Sequence, residues 1–337
     1  MRELDVSVVI VSYNTRDVLR RCIRSLMDTT RDVTYEVIVS DNCSKDGSAD
    51  MIAAEFPWVR LLRNESNLGF AAGQNRGLAE ARGRLWLVSN SDIFFQNGSL
   101  DAMVKFMDQC PAEVGVIGPR VVNSDGTLAP SARRVAASNL MLIMSIINRH
   151  FHFARLIPQG VLRRLFGQQL RRVHDNFDRH DDVREPGYVD GMCILAKRET
   201  FQTAGLFDEQ FFFDYEVLDW CVRVHQARWR ILYYPGAEVI HLKHESRRLV
   251  KPILVETHRS ELTYYSKYFP EQVPFIRGTG ILVVGLRYFL NKTVFAVWRT
   301  AAVKQQCEIL ERILHLLRSF DVNSVSKSGI VPVMPKR

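Results

Sequence analysis

A chain of 337 residues, 47% hydrophobic and 24% charged, can bury one large core or two smaller ones, which excludes a disordered or fibrous protein. The formal net charge of +8 points to an anionic partner, whether nucleic acid, membrane surface or phosphorylated substrate. Six scattered cysteines with no C-x-x-C pair exclude a cysteine metal site and fit reduced thiols in a cytoplasmic protein. No signal-peptide pattern is expected in the polar N-terminus, and no uninterrupted apolar run matches a membrane span. Residues 6–11 are short and β-branched, a buried first strand ending in Ser12, Tyr13 and Asn14; residues 18–26 then carry helical spacing. A second strand over 36–40 closes in Asp41 and Asn42, with Ser and Asx turn residues ahead of a helix over 49–56. Asp41 is read either as a ligand for a ribose or base or as a turn carboxylate capping that helix. A third strand over 59–62 leads through 64–70 to a helix over 71–81, where Gly73 and Gly77 permit close packing or close ligand approach. A fourth strand, 85–88, is apolar on both faces and stops abruptly in Ser89, Asn90, Ser91 and Asp92.

Strands alternating with helices imply an α/β chain with a mostly parallel, doubly wound sheet. Open sheets of that kind bind ligands outside the carboxyl ends of their strands, where Asp92 falls. Short oxygen donors there can hold a divalent ion against a diphosphate, or they form a turn and nothing more. Neither G-x-G-x-x-G nor G-x-x-x-x-G-K-[ST] is present, so a nucleotide would be held by other means. The ordered segments Val9-Ile-Val-Ser-Tyr-Asn14, Val39-Ser-Asp-Asn-Cys-Ser44, Asn67-Leu-Gly-Phe-Ala71 with Asn75, and Ser89-Asn-Ser-Asp92 resemble the family 2 glycosyltransferases. Within them the chain looks most like bacterial rhamnosyltransferase-type members, over about residues 6–246. The resemblance implies a Rossmann-like GT-A fold, a nucleotide-sugar donor, a divalent cation (Mg²⁺ or Mn²⁺) and inversion at the anomeric carbon. By that likeness Ser12, Tyr13, Asn14 and Asp41 line the base and ribose, and Asn67, Gly69 and Asn75 lie near the diphosphate and sugar. Asn42 and Asn90 belong with the donor-binding residues, and Asp92 binds the metal. Family members usually carry Asn-Pro-Asp or Asp-x-Asp here, whereas Asn90-Ser91-Asp92 leaves one certain carboxylate.

A further strand over 114–122 runs into the turn Asn123-Ser-Asp-Gly126. Residues 140–147 are apolar, and 155–172 mix arginines with Leu, Ile and Phe; helices packed on the core and a basic segment resting on a membrane both remain open. Residues 174–182 read as a solvated loop. A strand over 189–196 leads to a helix and then to 214–223, which resembles the family's acceptor-side motif of Glu-Asp and a later Asp. Aligned without gaps, Glu216 takes the Glu, Val217 the neighbouring Asp and Asp219 the later one, so the usual base position is a valine. On a helix Glu216 and Asp219 share a face, with residue 217 about 100° away. Glu216 is therefore the candidate base and Asp219 the second choice; a dipole-favoured carboxylate and a partner for Arg223 are the structural alternatives.

Strands over 229–234 and 237–240 are expected to flank a turn at Pro235-Gly236, and His241, with Ser246 five residues on, matches the family's metal or diphosphate contact. Past 246 the composition turns helical: 249–269, then apolar stretches 281–290 and 293–298 broken by Arg287, Asn291 and Lys292, then a stripe through Ile309 to Leu317. A spanning helix would bury Arg287 at a cost, so an interfacial helix and a core or dimer contact are the readings. The implied layout is a GT-A domain over 1–246 with a variable acceptor-side segment at 136–184, a helical extension over 247–323 and a disordered tail. The implied function is transfer of rhamnose or another hexose from a dTDP- or UDP-sugar to a lipid-linked or growing surface glycan. The protein would sit peripherally on the inner face of the cell membrane, with no nucleic-acid partner. A non-catalytic nucleotide-sugar-binding protein, its base site degraded at Val217, is the rival.

Overall fold

The computed structural model describes residues 4–129, 132–133, 146–147, 149–151, 181–242, 250–298 and 300–325. Expectations for 155–172, 174–180, 243–246 and the tail beyond 325 therefore lie outside the described residues. The alternating strands and helices follow the expected order: β1 (Val6–Ser12), α1 (Arg16–Thr29), β2 (Tyr35–Asp41), α2 (Ser48–Glu55), β3 (Arg60–Arg63), α3 (Gly69–Leu78), β4 (Leu85–Asn90), β5 (Ile93–Phe95) and α4 (Ser99–Gln109). After β6 (Val114–Asn123) and β7 (Ala132–Arg133) come β8 (Tyr188–Val189), β9 (Cys193–Lys197), α5 (Arg198–Ala204), α6 (Glu216–Gln226) and β10 (Arg230–His241). The chain closes in α7 (Val250–Tyr268), α8 (Val273–Trp298) and α9 (Ala301–Ser319).

Eight strands form one sheet in the order β3-β2-β1-β4-β9-β6-β10-β5, and β7 pairs with β8 apart from it. The continuous apolar runs of β1, β2 and β4 are explained by burial on two faces, because side chains alternate along a strand. Val6, Val8, Ile10, Val37, Val39, Leu85 and Leu87 pack beneath α1, α2 and α4. Their neighbours Val9, Ile38, Trp86 and Val88 face α3, α5 and α6 on the other side. The sheet is thus doubly wound. Parallel pairing joins β3, β2, β1 and β4 and also β6 with β10, while β9 runs antiparallel to both β4 and β6, and β5 antiparallel to β10.

Three local expectations are revised. The single strand expected over 189–196 is split at Asp190-Gly191-Met192, and its two pieces join different sheets. Pro235-Gly236 does not reverse the chain: β10 runs straight through it, and the register against β6 shifts between Tyr234 and Glu238. Pro119 stands opposite Tyr234, so both strands carry a residue that cannot donate at this point, and a bulge absorbs the mismatch. The apolar stretches at 281–290 and 293–298 belong to one helix of 26 residues. The stretch Pro270–Thr293, which takes in the turn before that helix and most of the helix, is long and apolar enough by composition to cross a membrane. Counting uninterrupted runs had missed this, because Arg287 interrupts the run and not the helix; its Nη1 lies 3.3 Å from His150 Nδ1.

A third apolar cluster lies among α7, α8 and α9, and it includes Ile146 and the fully buried Phe211. Tyr215, Leu218 and Val222 pack against it from α6 and the turn before it. The helical layer therefore leans directly on the 214–223 segment.

Candidate active site

The carboxyl ends of β1 and β2 are stitched together by local polar bonds. Asn42 donates its backbone N–H to Ser12 O (2.8 Å), and Asn14 donates its own to Ser44 Oγ (2.9 Å). Lys45 N–H donates to Asn14 Oδ1 (2.7 Å), while Ser12 and Thr15 share a hydroxyl hydrogen bond (3.1 Å). Asn14 and Cys43 hold left-handed backbone, at φ 54° and 61°, uncommon for residues other than glycine. At the centre Asp41 is buried; its Oδ2 accepts from Ser44 N–H (3.0 Å) while Oδ1 has no partner. A buried acceptor left open is costly unless a ligand donor fills it, which suits a ribose hydroxyl or a base N–H. Tyr13 is half-buried on the same loop.

Beside this pocket a chain of amides fixes the next loop. Asn64 Nδ2 donates to Asn42 Oδ1 (2.8 Å), and Asn42 Nδ2 donates to Asn67 Oδ1 (3.2 Å) and Gly69 O (2.9 Å). Asn67 Oδ1 also accepts from Gly69 N–H (3.0 Å), so the αL turn that opens α3 is specified by three asparagines. Gly69 has φ 80°, and a Cβ there would stand 2.4 Å from Phe212 O, so only glycine lets α3 approach the 205–213 segment. Asn75 completes the join: it donates to Phe207 O (2.8 Å) and to Glu209 Oε1 (2.9 Å), and accepts from Phe207 N–H (3.0 Å). Its amide is committed to holding that segment. Gly73 and Gly77 meet Val11 and Val9 of β1, which makes them packing glycines.

Past β4, Asp92 and His241 converge from two strands whose ends pair antiparallel, with His241 opposite Ile93. His241 Nε2 lies 3.2 Å from Asp92 Oδ2, and Leu242 N–H donates to Asp92 O (2.9 Å). His241 Nδ1 is buried without a partner. A carboxylate oxygen and an imidazole nitrogen suit a divalent ion such as Mn²⁺ or Mg²⁺. Among the described residues no set of three or more His, Cys, Asp or Glu groups together, so a diphosphate would have to supply further oxygens. On those terms the pair fits the implied cation.

The two halves of the site meet at the turn before β9. Asn90 donates its backbone N–H to Met192 O (3.0 Å), and the neighbouring Gly191 lies against Val217, where a Cβ would come within 2.6 Å of Val217 Cγ2. Val217 is thus part of the core behind α6. Glu216, the first residue of α6, is buried, and its Oε2 has no partner. Burial, with Asp214, Asp190 and Asp219 nearby, pushes its carboxyl up to about 8. Asp219 is engaged quite differently. Its Oδ1 accepts from Lys267 Nζ (2.6 Å) and Tyr268 Oη (2.7 Å), and its Oδ2 from Arg223 Nε (2.9 Å). Of the roles open to it, that of partner to Arg223 fits, and its proton-accepting capacity is used up within the fold.

Sequence reading passed over Asp190, Asp214 and Tyr215. Asp214 and Tyr215 both have left-handed backbone, at φ 64° and 68°, which turns the chain into α6 and aims Glu216. The one available signal was Asp190-Gly191, a turn dipeptide inside an apparent strand.

The family model described as glycosyl transferase family 2 matches residues 7–172. An N-acetylglucosaminyl-diphospho-decaprenol L-rhamnosyltransferase of Mycobacterium tuberculosis is 31% identical over 268 residues, covering 75% of this chain and 81% of the relative. The succinoglycan biosynthesis protein ExoO of Rhizobium meliloti is 36% identical over 123 residues, 36% of this chain and 35% of its own. Among solved structures, GalNAc-T7 with UDP, GalNAc and Mn²⁺ superposes with a TM-score of 0.53 at 18% identity, covering 79% of this chain and 50% of that one. S. aureus TarS 1-349 with UDP-GlcNAc gives 0.51 at 14% identity, covering 95% and 89%. These two likenesses concern the fold.

Proposed function

The chain belongs to glycosyltransferase family 2 and has the GT-A fold, and from that membership we propose that it transfers rhamnose, or a related hexose, from a dTDP- or UDP-sugar to a polyprenyl-diphosphate-linked glycan with inversion. The M. tuberculosis relative, named for rhamnosyl transfer to a diphospho-decaprenol acceptor, supports the choice of sugar and acceptor. The observation that carries the reading is one junction. Asp92–His241 and Glu216, whose Oε2 is buried without a partner, are linked through Asn90, Met192, Gly191 and Val217.

Asp41 holds the nucleoside by its open Oδ1, with Tyr13 and Asn14 on the loop above. Asn42, Asn64 and Asn67 fix the αL turn at Gly69. Glu216 takes the proton of the acceptor hydroxyl as that oxygen attacks the anomeric carbon, the sugar–phosphate bond breaks, and the nucleoside diphosphate leaves with the bonding pair. Asp92 and His241 would hold a divalent cation, which when bound supplies positive charge against the departing diphosphate. Val217 takes no part; the proton acceptor is its neighbour.

The acceptor chemistry gives a role to the outer face of α8. Leu282 is 73% exposed and Phe289 63%, with Leu286 and Leu290 beside them on consecutive turns. The helix carries no acidic residue, and of its cations Lys292 is exposed, while Arg287 turns to His150 and Arg277 donates to Leu317 O and Arg318 O. An exposed apolar stripe ending in a lysine suits a bilayer interface, and we assign it to the lipid surface that presents the acceptor. Six free thiols fit a reducing compartment, the cytoplasmic side of that surface.

The test is a transfer assay with dTDP-rhamnose, UDP-sugars and a short polyprenyl-diphosphate-GlcNAc acceptor, with Mn²⁺, Mg²⁺ or EDTA. Metal-dependent glycosylated lipid from one donor is expected. Tight binding of donor with no transfer to any acceptor would instead favour a nucleotide-sugar-binding protein.

A further inference from the structure

One face of α7 grips the turn that aims the base. Thr257, Ser260 and Glu261, spaced as neighbours on a helix surface, bond three successive residues of that turn. Thr257 Oγ1 donates to Asp214 Oδ2 (2.7 Å), Ser260 Oγ to Phe213 O (2.8 Å), and Tyr215 Oη donates to Glu261 Oε1 (3.0 Å). Tyr215 is the left-handed residue immediately before Glu216. Nothing in the transfer chemistry itself uses Glu261, yet it is buried with its charge. Arg149 meets it through two bonds, Nη1 to Oε2 (2.9 Å) and Nη2 to Oε1 (3.1 Å). Burial alone would raise the Glu261 carboxyl, but the Arg149 guanidinium overrides it and keeps the group ionised.

Behind Glu261 stands a row of two imidazoles. Arg287 Nη1 of α8 lies 3.3 Å from His150 Nδ1, and His150 Nε2 lies 3.0 Å from His258 Nε2. His258 Nδ1 in turn faces both Arg149 Nη1 at 3.4 Å and Glu261 Oε2 at 3.6 Å. Burial, with the neighbouring imidazole and guanidinium groups, pushes His150 down to about 3, and burial lowers His258, stacked beside it, as well. Three stretches of chain that hold no substrate group thus converge on one carboxylate, and that carboxylate holds one phenol.

We propose that Glu261 is a positioning residue for transfer: by fixing the Tyr215 hydroxyl it sets the left-handed turn and, through the turn, the place of the Glu216 carboxylate. This rests on Glu216 acting as the base. Tyr215→Phe keeps the ring in its packing and removes, of the three bonds to the turn, the one adjacent to Glu216. A base displaced by a fraction of its reach slows proton transfer while the nucleoside pocket is untouched. Tyr215→Phe is therefore expected to lower kcat about tenfold or more, with donor KM changed less than about twofold. Water reaching the loosened carboxylate would lower its titration point, so the acidic limb of the kcat–pH profile should move to lower pH. The same shift should appear in the Glu216 carboxyl signal by carbon-13 NMR, identified against Glu216→Gln. Glu261→Gln keeps the shape and weakens the hold, and adding Tyr215→Phe to it should cost little more, because the two act as one unit.

Unchanged kcat and an unchanged Glu216 titration in a folded Tyr215→Phe protein would overturn the proposal, as would fully additive losses in the double variant. If the wild-type chain transfers no sugar, the functional reading fails, and the NMR titration still decides whether Glu261 and Tyr215 position Glu216.

Discussion

Three carboxylates within six residues, Asp214, Glu216 and Asp219, meet three fates, and their surroundings account for each. Asp219 lies among Lys267, Tyr268 and Arg223 and is spent on them. Asp214 accepts from Thr257 across the turn. Glu216 keeps one buried oxygen open and is pushed up to about 8. A base must be ionised, so kcat should rise roughly tenfold per pH unit below about 8 and level off above it. Glu216→Gln should lose about two to four orders of magnitude in kcat, read across pH 5–9 with donor saturating. The same carboxyl links to stability with a definite sign. Its folded value exceeds the unfolded one, so the native state binds the proton more tightly and stability declines as pH rises toward about 8. Thermal unfolding of Glu216→Gln should not show that part of the decline. The motif made Glu216 and Asp219 legible as candidates. It could not separate them, because the partners that claim Asp219 stand 48 and 49 residues along the chain.

At the scale of elements, the parallel half of the sheet was legible because β-branched runs and short connections announce it. The antiparallel insertion of β9 was not. An apolar stretch reads the same in either direction, and the break at Asp190-Gly191-Met192 interrupts no apolar pattern strongly. The bulge of β10 escaped for the converse reason: Pro-Gly is a turn signal wherever it stands, and only pairing with β6 turns it into an irregularity. The donor motif around residue 70 also changes meaning in three dimensions. Asn75 and Gly69 join α3 to the 205–213 segment, so both also serve a join within the fold that the motif alone does not announce. Gly69→Ala meets both an unfavourable φ and the Phe212 carbonyl, and should cost about 1–3 kcal/mol or more of folding stability. Chemical denaturation would measure it, and proteolysis should find the 205–213 segment exposed early.

Over the whole molecule the sheet positions Asp41, Asp92 and His241, and the α7–α9 layer braces the turn before Glu216. The stripe of Leu282, Leu286, Phe289 and Leu290 is the one part of that layer whose apolar surface faces outward among the described residues. Flotation with vesicles rich in anionic phospholipid should retain the wild-type chain, while Leu282→Ser with Phe289→Ser should release it and leave kcat on a water-soluble acceptor unchanged. Binding that ignores both substitutions would remove α8 from the interface, and a shift from dimer to monomer in their place would assign the stripe to a second copy. Composition had narrowed the helix to lipid or protein contact, and Arg287 obscured its length. The arginine is tolerated because it reaches His150 of another segment, a contact no window along the chain contains.

The grip of α7 on the turn before α6 sets an order on synthesis. Residues 12–75 leave the ribosome early, but Thr257, Ser260, Glu261, Lys267 and Tyr268 emerge nearly two hundred residues later. The turn that leads into Glu216 therefore stays unbraced during translation until α7 has been made.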